Sequence, residues 1–157
     1  MHIFDLKREI VVPAARDEVF EFFSAPENLQ ELTPPMLSFT IKSVSERPLR
    51  EGTLIKYRIK VRGLPMGWTT LISGWNPPHA FVDEQLKGPY RMWHHTHTFE
   101  DHPAGTLVRD EVRYAMWGGR LIHSLFVKRD LQRIFDFRTA ALQARFGVVS
   151  PPADHDG

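Results

Sequence analysis

The chain has 157 residues and no cysteine, and its 20 Lys and Arg residues nearly balance 19 Asp and Glu residues, for a formal net charge of +1. The lack of cysteine excludes disulfides, thiolate metal sites and cysteine nucleophiles. Because a balanced charge supplies no strong field for phosphate backbones or anionic lipid surfaces, we expect no nucleic acid partner.

The N-terminal residues, MHIFDLKREIVV, mix charges into apolar positions and do not read as a signal peptide. No stretch of the sequence approaches the ~18 apolar residues of a membrane span. We therefore expect no integral membrane association and a cytoplasmic location.

The first predicted elements are a strand and two short helices. Apolar and charged residues alternate as far as Val12, which predicts a half-buried strand that ends at Pro13. Helical spacing follows, first around Val19 and its neighbouring phenylalanines and then over residues 27 to 32. Thr33-Pro34-Pro35 ends helix formation, because proline lacks an amide donor and disfavours the α conformation in its predecessor.

Six further strands are predicted, separated by segments that contain glycine or proline. They cover residues 39–45, 53–62, 68–75, 81–87, 90–100 and 107–117. The segment from Gly63 to Gly67 is either a loop that covers a pocket mouth or a plain hairpin connection. A meander of this kind gives an antiparallel sheet.

After Gly118-Gly119 a broad apolar stripe at helical spacing predicts a long amphipathic helix that continues to about Phe146. The stripe consists of Leu121, Ile122, Leu125, Phe126, Leu131, Ile134, Phe135, Ala141 and Leu142. An antiparallel sheet with helices on one side is an α+β architecture. We expect one domain over residues 1–149 and a frayed, Pro-rich tail over residues 150–157.

Several short segments, in their order and spacing, carry a resemblance to a known family. They are Asp17-Glu18-Val19-Phe20, Pro26-Glu27-Asn28-Leu29, Thr33-Pro34-Pro35, Phe81-Val82-Asp83-Glu84-Gln85, Gly88-Pro89-Tyr90, and the run of Trp93, His95, His97 and Phe99. Nearly the whole chain resembles START-like (SRPBCC) proteins of the helix-grip fold, in particular bacterial ligand-binding or polyketide cyclase/dehydrase-like members. The resemblance implies a seven-stranded curved sheet around the C-terminal helix, with a hydrophobic cavity between them for lipids, polyketides or aromatic molecules.

The densest polar cluster lies on one predicted strand. Alternation places Trp93, His95, His97 and Phe99 on the same face, and Phe99 suggests that this face points inward. A hairpin with the next strand brings Asp110 opposite or diagonal to His97. Asp83 and Gln85 share parity with Phe81, so they also face the cavity, near His95.

Three interpretations of this cluster are open. In the structural interpretation, His95, His97, Asp83, Gln85 and Asp110 only satisfy one another's hydrogen bonds. In the binding interpretation, they hold the polar group of a ligand whose apolar body packs on aromatic residues. The full binding set is Tyr57, Trp68, Asp83, Gln85, Trp93, His95, His97, Phe99 and Tyr114.

In the catalytic interpretation, His97 or His95 is a general acid or base that Asp110 or Asp83 orients, as in a cyclase, dehydratase or hydrolase. A non-enzymatic alternative is an interaction module, because similar bacterial domains occur beside epimerase-like proteins. A protein partner is therefore possible but unspecified.

The His-x-His spacing of His95 and His97 also raises a metal site, with Asp110 as an oxygen ligand. His94 should face outward and His102 should lie in a turn, so no third histidine points the same way. We therefore expect no metal and no other cofactor.

Overall fold

A seven-stranded sheet and a C-terminal helical segment form the framework of the protein. The computed structural model describes residues 1–149; the predicted tail lies outside the described residues. The strands are β1 (Phe4–Val12), β2 (Thr40–Val44), β3 (Leu54–Val61), β4 (Leu64–Asn76), β5 (Ala80–Lys87), β6 (Met92–His102) and β7 (Gly105–Ala115). The helices are α1 (Arg16–Ser24), α2 (Asn28–Glu31), a 3-10 turn (Pro35–Leu37), α3 (Gly119–Ile122), a π-helical segment (His123–Val127) and α4 (Lys128–Phe146).

All strands pair antiparallel in the order β1-β7-β6-β5-β4-β3-β2. Every strand from β2 onward pairs with the next along the chain, whereas β1 pairs with the last strand. Two register shifts between β4 and β5 bend the sheet, since bulges increase local twist and curvature. The helix-grip prediction of a curved seven-stranded sheet around a long C-terminal helix is confirmed.

The connection between β3 and β4 is a tight turn, shorter than the loop that was one of two alternatives predicted for residues 63–67. β4 begins at Leu64, which pairs with Val61, so only Arg62 and Gly63 form the turn. Both residues have positive φ angles, 50° and 83°, as a two-residue hairpin turn of the type I′ class requires. Of the two alternatives for residues 63–67, the structure has the plain hairpin connection.

The C-terminal helical segment buries Leu131, Phe135, Arg138 and Leu142 against the sheet. Its first part does not follow the predicted stripe, because Leu121, Leu125 and Phe126 are 68%, 57% and 41% exposed. The π-helical segment accommodates more residues per turn than an α-helix, so it shifts the phase of the apolar face at this point. Within residues 1–149, no helix combines the length and the apolarity that a membrane crossing needs.

The interior between sheet and helix has two chemically different ends. The phenylalanine end consists of Phe20, Phe22, Phe23, Phe81 and Phe99, all buried. The Tyr/Trp end consists of Tyr57, Trp68, Tyr90, Trp93 and Tyr114. A layer of charged side chains lies between them.

Candidate functional site

The charged layer is built on three neighbouring strands and on α4. On the inner face of β6, His95 and His97 are buried, with exposures of 6% and 2%. Direct register neighbours are Asp83 on β5 for His95 and Asp110 on β7 for His97. Strand alternation thus brings four polar side chains from three strands to the same depth in the interior.

The two imidazoles stack on each other and span the gap between the two carboxylates. Their ring centroids are 3.7 Å apart, with an interplanar angle of 24°. His97 Nε2 lies 2.5 Å from Asp83 Oδ2, and His95 Nε2 lies 2.8 Å from Asp110 Oδ1. The shortest hydrogen bonds are therefore diagonal to the strand register.

The second nitrogen of each imidazole faces the carboxylate that its first nitrogen does not contact. His97 Nδ1 lies 3.4 Å from Asp110 Oδ1, and His95 Nδ1 lies 3.7 Å from Asp83 Oδ2. Each histidine thus bridges both carboxylates, one contact being short and the other long. The sequence predicted His97 beside Asp110 and Asp83 near His95, and these are the two longer contacts.

Arg138 on α4 completes the layer, although it was not among the site residues predicted from the sequence. Its Nε donates to Asp110 Oδ2 and its Nη2 to Asp110 Oδ1, each at 3.1 Å. This bidentate pairing is the strongest geometry for an arginine and a carboxylate. A signal was present, because Arg138 is seven residues after Leu131 and four before Leu142 and so lies on the buried stripe of the helix. An arginine there requires a buried acid.

The layer keeps its carboxyl groups ionised. Burial alone disfavours the charged form of Asp110, but the Arg138 guanidinium and the hydrogen bonds from both histidines hold its pKa well below its usual range. Burial also opposes ionisation of Asp83, yet His95 and His97 together lower its pKa.

The pKa values of the two histidines are shifted in opposite directions. Burial lowers the pKa of His95, and the adjacent charge on His97 lowers it further. Burial acts the same way on His97, but hydrogen bonds to Asp110 and Asp83 outweigh it and raise the pKa of His97. Of the two imidazoles, His97 is therefore the one at which protonation is favoured.

Phenylalanine rings close one side of the charged layer. Phe81 stacks on His97 at 4.0 Å, with an interplanar angle of 13°, and the Arg138 guanidinium lies 5.1 Å from the centroid of Phe23. Phe99, predicted as a ligand-binding residue, belongs to this phenylalanine end, where it packs 5.1 Å from Phe23 and is 1% exposed.

Tyrosine and tryptophan rings lie on the other side. The Trp68 ring centroid is 5.7 Å from Tyr57, 5.6 Å from Tyr90 and 5.5 Å from Trp93. Trp93 also lies 6.2 Å from His95, which connects the aromatic cluster to the charged layer. These side chains pack on one another in a continuous aromatic cluster at this end of the interior.

Within this cluster, Trp68 Nε1 is buried and has no hydrogen-bond partner among the described residues. Tyr114, by contrast, has its hydroxyl 2.8 Å from His123 Nε2.

Gln85 faces the interior, but both polar atoms of its side chain are hydrogen-bonded to backbone groups. Its Nε2 donates to the carbonyl oxygen of Tyr90 at 2.7 Å, and its Oε1 accepts from the Tyr90 N–H at 3.0 Å. Gln85 therefore ties the connection between β5 and β6 and positions the Tyr90 ring beside Trp68 and Trp93.

Three of the charged side chains offer metal-ligand atoms on neighbouring positions. One ligand atom each from Asp83, His95 and His97 lies within 4.8 Å of the others. The third potential ligand, in addition to the two histidines, is thus the Asp83 carboxylate on β5.

Comparison with known proteins places this geometry in a family. No curated protein matches the chain. Protein CV1439 from Chromobacterium violaceum has a similar structure, with a TM-score of 0.70, 15% identity, and coverage of 91% of this chain and 97% of that one. The major latex-like protein 151 from Panax ginseng has a TM-score of 0.69 at 12% identity, covering 92% of this chain and 97% of that one. At these identities the likeness shows the fold.

A family model described as "Polyketide cyclase / dehydrase and lipid transport" matches residues 12–142, which include β2 to β7 and most of α4, but only Val12 of β1. Family and fold together suggest a protein that binds a hydrophobic ligand. The chain belongs to this polyketide cyclase/dehydrase and lipid transport family, within the SRPBCC superfamily that its sequence resembles.

Proposed function

We propose that the chain binds a small, ring-containing apolar molecule between the sheet and the C-terminal helix, at the Tyr/Trp end. The observation that carries this proposal is the buried, unpartnered indole N–H of Trp68 inside a continuous aromatic cluster. A buried donor without an acceptor costs about 1–3 kcal/mol, so it needs a reason to persist. An oxygen or nitrogen acceptor on a bound ligand supplies one.

The chemistry of the lining supports a ligand with a ring and a polar group. Tyr and Trp rings combine large apolar faces with one hydrogen-bonding atom each. Burial raises the pKa of Tyr57 well above its usual value and raises that of Tyr90 as well, so both hydroxyls stay neutral donors. The charged layer next to Trp93 adds a polar wall for a ligand hydroxyl or carbonyl group.

Entry of a ligand between rings that pack on one another requires that an aromatic side chain move. Tyr57, Tyr90 and Trp93 are only half-buried. Their displacement outward exposes less additional apolar surface than displacement of Phe23 or Phe99, each 1% exposed. The Tyr/Trp end is therefore the side from which we expect a ligand to enter.

Binding is tested with an apolar fluorescent probe and with native mass spectrometry of freshly purified protein. We expect saturable binding of one probe per chain and displacement by ring compounds that carry a hydrogen-bond acceptor. Absence of both a retained molecule and saturable probe binding would contradict the proposal.

The Trp68→Phe variant sharpens this test, because it keeps a ring and removes the N–H. Loss of one hydrogen bond of about 1.4 kcal/mol weakens binding of an acceptor-bearing ligand by about tenfold. The matched control is Trp75→Phe, since Trp75 packs on Phe20 and Phe81 at the other end. Equal ligand affinity in the two variants would show that the Trp68 N–H does not contribute to ligand binding.

A second candidate function is acid–base catalysis on such a ligand, as in a cyclase or dehydratase, with His95 as the reacting group. Both nitrogens of His97 face partners within hydrogen-bonding range, whereas His95 Nδ1 has, among residues 1–149, only Asp83 at 3.7 Å. Asp110 holds His95 through Nε2, an arrangement that orients an imidazole for proton transfer.

Catalysis is tested with His95→Gln and His97→Gln on a polyketide-type β-keto compound. Loss of turnover in His95→Gln with retained probe affinity supports the catalytic role. Turnover unchanged in His95→Gln assigns this histidine to structure or binding.

A further inference from the structure

We propose that Asp83, His95 and His97 form a binding site for one divalent first-row transition metal ion, with Zn²⁺ as the best fit. The proposal goes beyond ligand binding at the Tyr/Trp end. It rests on the orientation of the two imidazoles, each of which has one nitrogen facing Asp83 and the other facing Asp110.

The ligand atoms lie on the Asp83 side of the imidazole stack. His97 Nε2 and His95 Nδ1 face Asp83 Oδ2, at 2.5 Å and 3.7 Å. Two histidines two residues apart on a strand place both rings on the same face, which is one way in which proteins present a pair of imidazole ligands. The Asp83 side chain is 18% exposed, so this is a sheltered site with some access.

The opposite side of the stack provides the supporting hydrogen bonds that metal-bound histidines need. Asp110 Oδ1 faces His95 Nε2 at 2.8 Å and His97 Nδ1 at 3.4 Å. A carboxylate that accepts from the remote N–H of a histidine fixes its tautomer and leaves the lone pair on the other nitrogen. A metal ion that takes the lone pairs of His95 Nδ1 and His97 Nε2 leaves the protons on the two remote nitrogens, which donate to Asp110. The Arg138 Nη2–H that points at His97 Nδ1 must then turn fully to Asp110 Oδ1, 3.1 Å away.

Arg138 keeps Asp110 in this supporting role and stands away from the ligand atoms. Its hydrogen bonds go to both oxygens of Asp110, and its remaining polar contact is with His97 Nδ1 at 3.3 Å. All of these contacts are on the Asp110 side. The guanidinium therefore neutralises the supporting carboxylate and leaves the charge of Asp83 for a cation.

The donor set selects the class of metal. Two imidazoles and one carboxylate suit Zn²⁺ and neighbouring first-row ions better than Ca²⁺ or Mg²⁺, which prefer oxygen ligands. Zn²⁺ ligands at about 2.0–2.1 Å in tetrahedral geometry are roughly 3.4 Å apart. The present separations from Asp83 Oδ2, 2.5 Å and 3.7 Å, bracket this value, and the imidazole planes, now 24° apart, must tilt toward the ion.

On binding, the ion replaces the proton between His97 and Asp83, and that proton passes to solvent. Three protein ligands leave at least one coordination position for water or a ligand oxygen. The sequence led to the expectation of no metal because the third ligand was sought among histidines and at Asp110. In the structure, Asp83 on β5 is on the ligand side and Asp110 on the supporting side.

The experiment uses the untagged chain, stripped with a chelator and then freed of it. Co²⁺ is added and followed by its visible absorption, and Zn²⁺ is measured by equilibrium dialysis with elemental analysis. We expect about one equivalent of either ion per chain and displacement of Co²⁺ by Zn²⁺. Less than about 0.1 equivalent of Zn²⁺ at saturating metal overturns the proposal, whatever the variants show.

Variants then locate the site. We expect Asp83→Asn and His95→Gln to weaken Zn²⁺ binding at least about 100-fold, and Asp110→Asn to weaken it about 10- to 100-fold. His94→Gln is the matched control, because His94 lies on the other face of β6. Equal affinity in Asp83→Asn, His94→Gln and the unaltered chain, each shown to be folded by circular dichroism, also overturns the assignment.

Failure of this inference is distinguishable from failure of the proposed function. The fluorescent-probe titration is repeated with chelator present. Probe binding without metal binding leaves the Tyr/Trp end as a ligand site and rejects only the metal site; metal binding without probe binding does the reverse.

Discussion

The two ends of the interior share the same strands and differ in what their side chains leave unsatisfied. Along β6, Phe99 belongs to the phenylalanine end and Trp93 to the Tyr/Trp end, with His95 and His97 between them. The phenylalanine rings have no hydrogen-bonding atoms and are buried nearly completely. At the Tyr/Trp end, three of the five rings are half-buried, and one buried N–H has no partner in the part of the chain that the structure describes.

This difference separates stability from binding. Fully buried phenylalanines contribute apolar burial without any polar requirement, so we expect this end to stabilise the fold. Half-buried aromatic residues with polar tips contribute less to stability and can exchange contacts with a ligand. The charged layer lies between the two ends and contacts both, through Phe81 on His97 and through Trp93 near His95.

The largest expected effect is at the phenylalanine end. Phe99→Ala leaves a cavity among Phe20, Phe23 and Phe81, and we expect it to lower the free energy of unfolding by about 4 kcal/mol. Urea unfolding measures this loss, with Leu86→Ala, 54% exposed, as the control that changes little. If the variant remains folded and loses probe affinity as strongly as Trp68→Phe does, the division between the two ends is wrong.

The next effect concerns the charged layer. Arg138→Met removes the guanidinium and leaves Asp110 buried without its main counter-charge, so we expect a loss of about 3 kcal/mol in the free energy of unfolding. Arg133→Met, an exposed arginine on the same helix, should change it by less than about 0.5 kcal/mol. A loss in Arg138→Met as small as that of the control would show that the layer does not hold α4 to the sheet.

A smaller effect is expected for Trp68→Phe in the absence of ligand. Because the indole N–H has no partner, its removal relieves an unsatisfied donor while shrinking the ring, and the net change in unfolding free energy should stay within about 1 kcal/mol. Urea unfolding of the ligand-free protein checks this. A loss of several kcal/mol would mean that the Tyr/Trp end is as structural as the phenylalanine end.

The smallest expected effect is at the turn between β3 and β4. Arg62 Nη2 lies 2.9 Å from Asp130 Oδ1, and its guanidinium lies 4.7 Å from the Phe126 ring centroid, which ties the hairpin to the helix. Both partners of this ion pair are partly exposed, so Arg62→Gln should cost less than about 1 kcal/mol. Bound probe should dissociate faster than from Lys60→Gln; equal rates would show that the hairpin does not restrict exit.

Local periodicity in the sequence was enough to predict the framework. Alternation along each strand, the prolines and glycines between strands, and the 3.6-residue stripe of the last helix correctly predicted seven strands, two short helices and a long C-terminal helix. These signals are local, because they depend on which face of an element is buried. The same alternation placed Trp93, His95, His97 and Phe99 on one face of β6 before any contact was known.

The pairing within the charged layer depended on tertiary structure. The sequence identified four of its five side chains but not Arg138, because the arginine lies 28 residues from Asp110 along the chain and on a different kind of element. Register predicts which Cα atoms are neighbours, whereas the hydrogen bonds follow the diagonals that stacked imidazoles can reach. Side-chain direction across three strands and a helix is a property of the assembled core.

The predicted cavity was likewise a question for the tertiary structure. Composition and periodicity identify apolar faces, but whether Tyr57, Trp68, Tyr90 and Trp93 enclose a space or fill it depends on how their rings pack. The sequence by itself determined that a sheet and a helix enclose an apolar interior crossed by histidines and carboxylates. Only the folded packing decided that this interior is divided into two ends, with Arg138 anchoring the layer between them, because those contacts join residues far apart in the chain.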